Sequence, residues 1–240
     1  MIPSLVFDLE TIPDILAIRR LYKISDEFSD EDVVNIAMYQ RRQRVGHDFL
    51  QHHLQKIVAI SCVLKTDEQL KIWSLGDEGS SEAELLERFY DGVEKYLPNL
   101  VTWNGTGFDL PVLNYRSLVN KVSSSIYFDM GENNSDFKWN NYLNRFHQRH
   151  IDLMDFFALY SGRNNASLDH IAKLCGFPGK LDMDGGQVWK TYLKGNIKSV
   201  RDYCETDVVN TYLVYLRSVS YTHLRAHETP EHLVCRLLLE

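Results

Sequence analysis

The stretch SLVFDLETIPD, residues 4–14, places two acidic side chains at the end of a short apolar run. The run contains valine and phenylalanine and is followed by Pro13, a pattern that predicts a buried strand. Asp8 and Glu10 are two residues apart, so on a strand both side chains emerge on one face. Buried together they would repel each other, and a shared divalent cation is the simplest compensation. Asp-x-Glu alone also fits a solvated strand end, so the choice between this interpretation and a metal site depends on other segments of the chain.

The rest of the chain alternates between strand-like and helical patterns. Strands are predicted at 57–64, 70–75 and 100–103, and helices at 81–96, 109–120, 151–160, 167–175 and 197–216. Residues 14–54 are helical in pattern, with a helix start near Ser29, and residues 121–150 are predicted to form a surface loop. This order is typical of an α/β sheet covered by helices.

Two further clusters carry acidic residues. The glycine-rich turn 104–107 delivers Asp109 to a helix start, where helix capping is the alternative interpretation. Tyr203 and Asp207 are four apart on one predicted helix and therefore share a face, although this pair taken alone favours a core tyrosine beside a solvated aspartate. With Asp8 and Glu10, these segments supply four carboxylates and one phenol, the groups of a two-metal nuclease site. Asp152 and Asp155 are expected to cap a helix.

The composition restricts the possible classes of protein. With 240 residues and 44% apolar content, the chain can bury one sizeable core. A net charge of -7 argues against coating nucleic acid through bulk electrostatics. No apolar run approaches the roughly 20 residues of a membrane span, and no basic region precedes the first apolar run. We therefore expect a cytoplasmic protein that contacts no membrane.

Contact with nucleic acid would then depend on local cations. The candidate basic side chains are Arg41, Arg42 and Arg44, and the helical set Lys190, Lys194, Lys198 and Arg201. Such runs can also be plain solvated faces. Lys180 could approach a phosphate, but Asp182 and Asp184 make its neighbourhood acidic. The cysteines show no C-x-x-C spacing and indicate neither a zinc site nor a disulfide framework.

The three acidic clusters also carry a family resemblance. FDLETIPD at 7–14, NGTGFDLPVL at 104–113 and YCETD at 203–207 resemble the three motifs of the DEDD superfamily of 3′-5′ exonucleases. The resemblance extends over residues 1–217 and points to bacterial predicted exonucleases similar to the proofreading domain of family B DNA polymerases. It implies a ribonuclease-H-like fold, with a mixed central sheet and helices on both faces. Tyr203 matches the tyrosine subclass, since the histidine subclass would place histidine where Asp202 stands.

The resemblance also implies roles for individual residues. It implies that two Mg²⁺ or Mn²⁺ ions are bound by Asp8, Glu10, Asp109 and Asp207, that Tyr203 orients the attacking water, and that Thr11, Asn104 and Phe108 contact the terminal nucleotide. The expected activity is release of mononucleotides from single-stranded DNA 3′ ends. An RNA-trimming exonuclease and a catalytically silent nucleic-acid-binding module are the alternatives. Coupling to a polymerase or to repair would require a separate partner.

The last residues differ in character from the rest. The segment 218–240 resembles translated sequencing adapter, because the letters on both sides of a short index-like gap match such DNA in one reading frame. We therefore expect one exonuclease domain, residues 1–217, followed by a tail that is not a domain and replaces the genuine C-terminus.

Overall fold

The computed structural model describes residues 2–180 and 183–223, with side chains described through residue 219. Its strands are β1 (Ser4–Pro13), β2 (Gln55–Lys65), β3 (Leu70–Ser74), β4 (Asn99–Thr102) and β5 (His150–Asp152). Its helices are α1 (Ile15–Tyr22), α2 (Asp30–Val45), α3 (Glu82–Tyr96), α4 (Asp109–Asn120), α5 (Leu153–Phe157), α6 (Leu168–Leu174), α7 (Val188–Leu193) and α8 (Ile197–His223). Within these ranges no helix is long and apolar enough to cross a membrane.

The strands form one mixed sheet in the order β3-β2-β1-β4-β5. β2 pairs antiparallel with both β1 and β3, while β4 and β5 continue the sheet in parallel with β1. Alternation along β1 divides the core between two faces. Leu5, Phe7 and Leu9 pack with α3 and α4, and Val6 packs with α6 and α8 on the other face. The α/β, ribonuclease-H-like architecture with helices on both faces is confirmed.

The long segment between β1 and β2 is divided by its capping residues. Asp14 caps α1 by accepting a hydrogen bond from the Ala17 amide, and Ser29 caps α2 as predicted. Gly46, at φ 82°, ends α2, because a glycine adopts this left-handed conformation at low cost. Residues 14–54 therefore form two helices joined by a turn and followed by a loop.

Two predictions on secondary structure were wrong. The predicted helix 151–160 begins with β5, because residues 150–152 pair with β4 before α5 starts. The predicted surface loop 121–150 buries Tyr127, Phe137 and Tyr142, each at most 1% exposed, against the α3–α4 face. The basic residues of the helical set lie on two helices: Lys190 is on α7, and Lys198 and Arg201 are on α8, with Gly195 at φ 74° between them.

The C-terminal helix runs past the predicted end of the domain. α8 continues to His223, and the Arg217 guanidinium donates to the carbonyl of Cys175 at 3.3 Å. Most of the adapter-like segment, residues 224–240, lies outside the described residues. The domain boundary at residue 217 stays a prediction.

Candidate active site

The candidate crevice is the region where β1 continues beyond the end of β4, between residues 8–11, the segment 104–109 and α8. The parallel pairing of these strands places Val6 opposite Val101, and β4 ends one residue later at Thr102. Among the described residues, no strand pairs with this edge of β1 beyond that point. Ligand sites of α/β proteins form at such carboxyl ends of strands.

Asp109 fills this open edge. Its Oδ1 accepts a hydrogen bond from the Leu9 amide at 3.1 Å, so the carboxylate lies against the strand between Asp8 and Glu10. Phe108 occupies the capping position of α4. The helix-capping interpretation of Asp109 is therefore wrong. Burial raises the pKa of Asp109 to about 7, although hydrogen bonds from its own amide and from Leu9 act in the opposite direction.

Asp8 and Glu10 face α8 together. Their carboxylate oxygens and the Cys204 sulfur lie within 4.8 Å of one another. Burial raises the pKa of Asp8 well above its ordinary value, and the charges of Asp109, Glu10 and Asp207 raise it further. Burial likewise raises the pKa of Glu10, with Asp207 the largest charge contribution. The carboxylates are thus crowded, and the charge of Lys180, which acts in the opposite direction on the pKa of both Asp8 and Glu10, offsets only part of this effect.

Cys204 is a neighbour that the sequence interpretation missed. Its sulfur lies 3.4 Å from the Asp8 carbonyl oxygen and 3.8 Å from Asp8 Oδ2, in position to donate. Burial raises the pKa of the thiol well above its ordinary value, so the sulfur keeps its proton. A neutral thiol is a poor ligand for Mg²⁺, which prefers oxygen. The nearest sequence signal was its position directly after Tyr203.

Tyr203 and Asp207 share a face of α8, as their spacing predicted. Asp207 is 7% exposed and Tyr203 6%, so the alternative of a solvated aspartate is wrong. Asp207 Oδ1 is buried and has no hydrogen-bond partner within the described residues. Burial raises the pKa of Tyr203, and the negative charge of Asp207 raises it further, which keeps the phenol protonated.

Lys180 supplies the cation in this cluster. Its Nζ lies 3.5 Å from Asp207 Oδ2, donates to the Tyr203 hydroxyl and lies 5.0 Å from the centre of the Tyr203 ring. The Lys180 amide donates to Asp169 Oδ1 at 2.7 Å, which fixes the start of the side chain. The acidic neighbour Asp184 instead accepts from the Gly186 amide, and Asp182 lies outside the described residues.

The loop that carries Asn104 is held by Asp152. Asp152 Oδ1 and Oδ2 accept from the amides of Asn104 and Thr106, both at 2.9 Å. The Thr106 hydroxyl lies 2.6 Å from Asp152 Oδ2 and 2.7 Å from Asp155 Oδ2. Asp152 also caps α5, as expected of it, by accepting from the amide of Met154. One carboxylate therefore links β5, α5 and the loop that leads to Asp109.

Close backbone approach explains a glycine in this loop. A Cβ on Gly105 would lie 2.1 Å from Thr102 Oγ1, a distance that no side chain can accept. Asn104 adopts a left-handed φ of 66°, which asparagine tolerates better than most residues. The turn is consequently tight, and α4 begins at Asp109, a member of the acidic cluster.

The remaining predicted contact residues lie around the crevice. Thr11 follows an irregularity in the β1–β2 pairing, and its hydroxyl donates to Gln55 Oε1 at 3.2 Å. The ring of Phe108, directly before Asp109, lies 5.7 Å from those of Phe49 and His52, measured between centres.

The sheet order and the helices on both faces define a ribonuclease-H-like α/β protein. A family model described as a predicted 3′-5′ exonuclease related to the exonuclease domain of PolB matches residues 47–234. The chain belongs to this family and so to the 3′-5′ exonucleases, which hydrolyse phosphodiester bonds in nucleic acids. The matched range includes Asp109, Tyr203 and Asp207, while Asp8 and Glu10 precede it.

A solved structure shares the fold at low sequence identity. The family B DNA polymerase from the hyperthermophilic archaeon Pyrobaculum calidifontis is 16% identical with a TM-score of 0.52, over 88% of this chain and 24% of the polymerase chain. The structure of E. coli exonuclease I with a 5cy-dT13 oligonucleotide is 12% identical over 89% of this chain and 42% of that chain. Its TM-score of 0.35 is too low to indicate a shared fold. No curated protein sequence matches the chain.

Proposed function

We propose that this protein is a metal-dependent exonuclease that removes mononucleotides from the 3′ end of single-stranded DNA. The observation that carries the proposal is the convergence of Asp8, Glu10, Asp109 and Asp207 at the open edge of β1, in a member of an exonuclease family. Membership of a family related to a DNA polymerase domain favours DNA over RNA.

The donor set fits divalent cations. Glu10, Asp109 and Asp207 are buried and Asp8 is half-buried. Loss of solvation, and after it the charges of the other three carboxylates, raise the pKa of Asp8, so a cation bound between the four groups would stabilise them. The buried, unpartnered Asp207 Oδ1, judged against the described part of the chain, is a ready oxygen ligand. Asp8, Glu10, Asp109 and Asp207 would hold two Mg²⁺ or Mn²⁺ ions. Such ions lower the pKa of water and stabilise the charge on the leaving 3′ oxygen.

Tyr203 positions the attacking water in this proposal. Because its pKa is raised, the phenol acts as a hydrogen-bond donor or acceptor and not as a base at neutral pH. Lys180 holds the hydroxyl by donating to it, and the same ammonium partly neutralises Asp207. Both residues therefore fix the orientation of the water before reaction.

The loop 104–108 and Thr11 would receive the terminal nucleotide. Asn104 is placed by Asp152, and Phe108 presents a ring directly before Asp109. The ring would stack on a base, a contact that every nucleotide can make. This arrangement suits an enzyme that must accept each successive residue of a strand.

The test uses oligonucleotides labelled at one end. 5′-labelled single-stranded DNA and RNA of the same sequence are incubated with Mg²⁺ or Mn²⁺, and products are resolved by length. The proposal expects a ladder that shortens one nucleotide at a time from the 3′ end, with DNA cleaved faster. Tyr203→Phe is expected to slow turnover by roughly 10²-fold. Internal cleavage, 5′-end removal or a faster reaction on RNA would contradict the proposal.

A further inference from the structure

An aromatic side chain lies exposed at the edge of the crevice. Phe49, in the loop between α2 and β2, is 53% exposed. Its ring meets that of Phe108 edge to face at 61°, with 5.7 Å between centres. The imidazole ring of His52 also lies 5.7 Å from the Phe108 ring, measured between centres. Phe108, directly before Asp109 in the chain, therefore contacts both rings.

The loop that carries these rings is tied to both sides of the crevice. His52 Nε2 lies 2.9 Å from the carbonyl oxygen of Gly107, two residues before Asp109. Gln55 accepts from the Thr11 hydroxyl and donates to the Leu50 carbonyl at 3.2 Å. Because Thr11 directly follows Glu10, the loop has a fixed position relative to both acidic segments.

A cation lies next to the exposed ring. Arg41 on α2 donates through Nε to the Phe49 carbonyl at 3.3 Å. The acidic residue of the same loop, Asp48, is paired with the guanidinium of Arg42. The loop therefore combines a stacking surface with positive charge, in a chain whose net charge is -7.

We propose that Phe49 and His52 extend the Phe108 ring into a platform on which the base of the 3′-terminal nucleotide stacks, with Arg41 as the adjacent cation for its backbone. A nucleobase suits the position because the platform continues directly into the segment that carries Asp109. Base stacking on aromatic rings is tolerant of sequence, and guanidinium groups beside rings add to it. This inference rests on the proposed function and names residues that bind its substrate.

The experiment removes the base or the ring. Steady-state cleavage is measured on one 5′-labelled DNA strand ending in thymidine and on the same strand ending in a base-free tetrahydrofuran residue. The proteins are the wild type, Phe49→Ala, Phe49→Tyr and the control Tyr39→Ala, which removes another exposed ring, 65% exposed, from α2. Thermal unfolding verifies that each variant is folded.

Phe49→Ala is expected to raise KM for the thymidine end by roughly tenfold, with kcat and the base-free end little changed. Phe49→Tyr retains a ring and should resemble the wild type, as should Tyr39→Ala. An equal effect of Phe49→Ala on both ends, or no effect, would overturn the platform while leaving the exonuclease activity established. A wild type that cleaves neither strand would instead refute the proposed function, and the platform with it.

Discussion

Replacing Asp152 by asparagine tests whether one buried carboxylate sets the geometry of the crevice. Asp152 Oδ2 accepts the Thr106 amide at 2.9 Å and faces the Thr106 hydroxyl at 2.6 Å. An amide nitrogen in that place cannot accept either bond. Hydrogen bonds to charged groups contribute about 1.5–3 kcal/mol each, so we expect a loss of about 3 kcal/mol or more in the free energy of unfolding.

The same substitution should slow catalysis without touching substrate. Asp109 follows the loop 104–107 directly through Phe108, and misplacing a reacting group by about 1 Å can cost roughly 10²-fold in rate. Urea unfolding and single-turnover cleavage of single-stranded DNA are the assays. Asp136→Asn, at an exposed acid, is the control. A normal cleavage rate in a folded Asp152→Asn protein would refute the view that this carboxylate positions the loop.

Three more predictions concern stability. Glu82 binds the buried guanidinium of Arg116 through both carboxylate oxygens, so Glu82→Gln should lower the free energy of unfolding by roughly 3–5 kcal/mol. Glu84→Gln, at an exposed ion pair on the same helix, should lower it little in urea unfolding; equal losses would contradict this. Burial lowers the pKa of His150 to about 4, so the unfolded chain takes up the proton first as pH falls below about 6.5. The free energy of unfolding should then fall by about 2 kcal/mol between pH 7 and 5, and His150→Gln should weaken this pH dependence. An unaltered pH dependence in the variant would contradict the role of His150. A chain ended after Arg217 should keep the thermal midpoint and cleavage rate of the full chain, and a large loss of either would show that the tail is integral.

Local patterns in the sequence predicted the parts of the site that depend on periodicity. The spacing of Asp8 and Glu10 places both on one face of β1, and the spacing of Tyr203 and Asp207 places both on one face of α8. These relations hold whatever the rest of the chain does. The catalytic and metal-binding roles of these residues stay predictions until activity is measured.

Features that depend on tertiary packing were not predicted. Asp109 turns from its own helix to the Leu9 amide because β4 ends early and leaves that amide without a strand partner. The acidic residues near Lys180 in sequence argue against a phosphate contact, yet its side chain lies beside Asp207. Arg201, one of the candidate cations, donates instead to loop carbonyls such as that of Gly76 at 3.0 Å. Nothing in the local sequence specifies these partners.

The burial of the segment 121–150 shows the same limit. Its polar composition predicts a surface loop, but Tyr127 and Tyr142 stack at 5.8 Å between ring centres beneath α3 and α4. The tyrosine hydroxyl of Tyr142 donates to the Pro98 carbonyl at 2.7 Å, so a residue with a polar end is satisfied inside the core. The aromatic residues of this segment indicate burial, but the polar residues around them give the segment the average composition of a surface loop.

One comparison tests the central claim most directly: the cleavage rates of Asp207→Asn and Asp202→Asn on 5′-labelled single-stranded DNA with saturating Mn²⁺. Both replacements remove one negative charge from α8, but Asp207 is buried in the acidic cluster and Asp202 is paired with Lys198 at the surface. The account predicts a loss of roughly 10³-fold for Asp207→Asn, because metal-ion stabilisation contributes several kcal/mol, and a near wild-type rate for Asp202→Asn. A folded Asp207→Asn protein that removes 3′ nucleotides at the wild-type rate would contradict it.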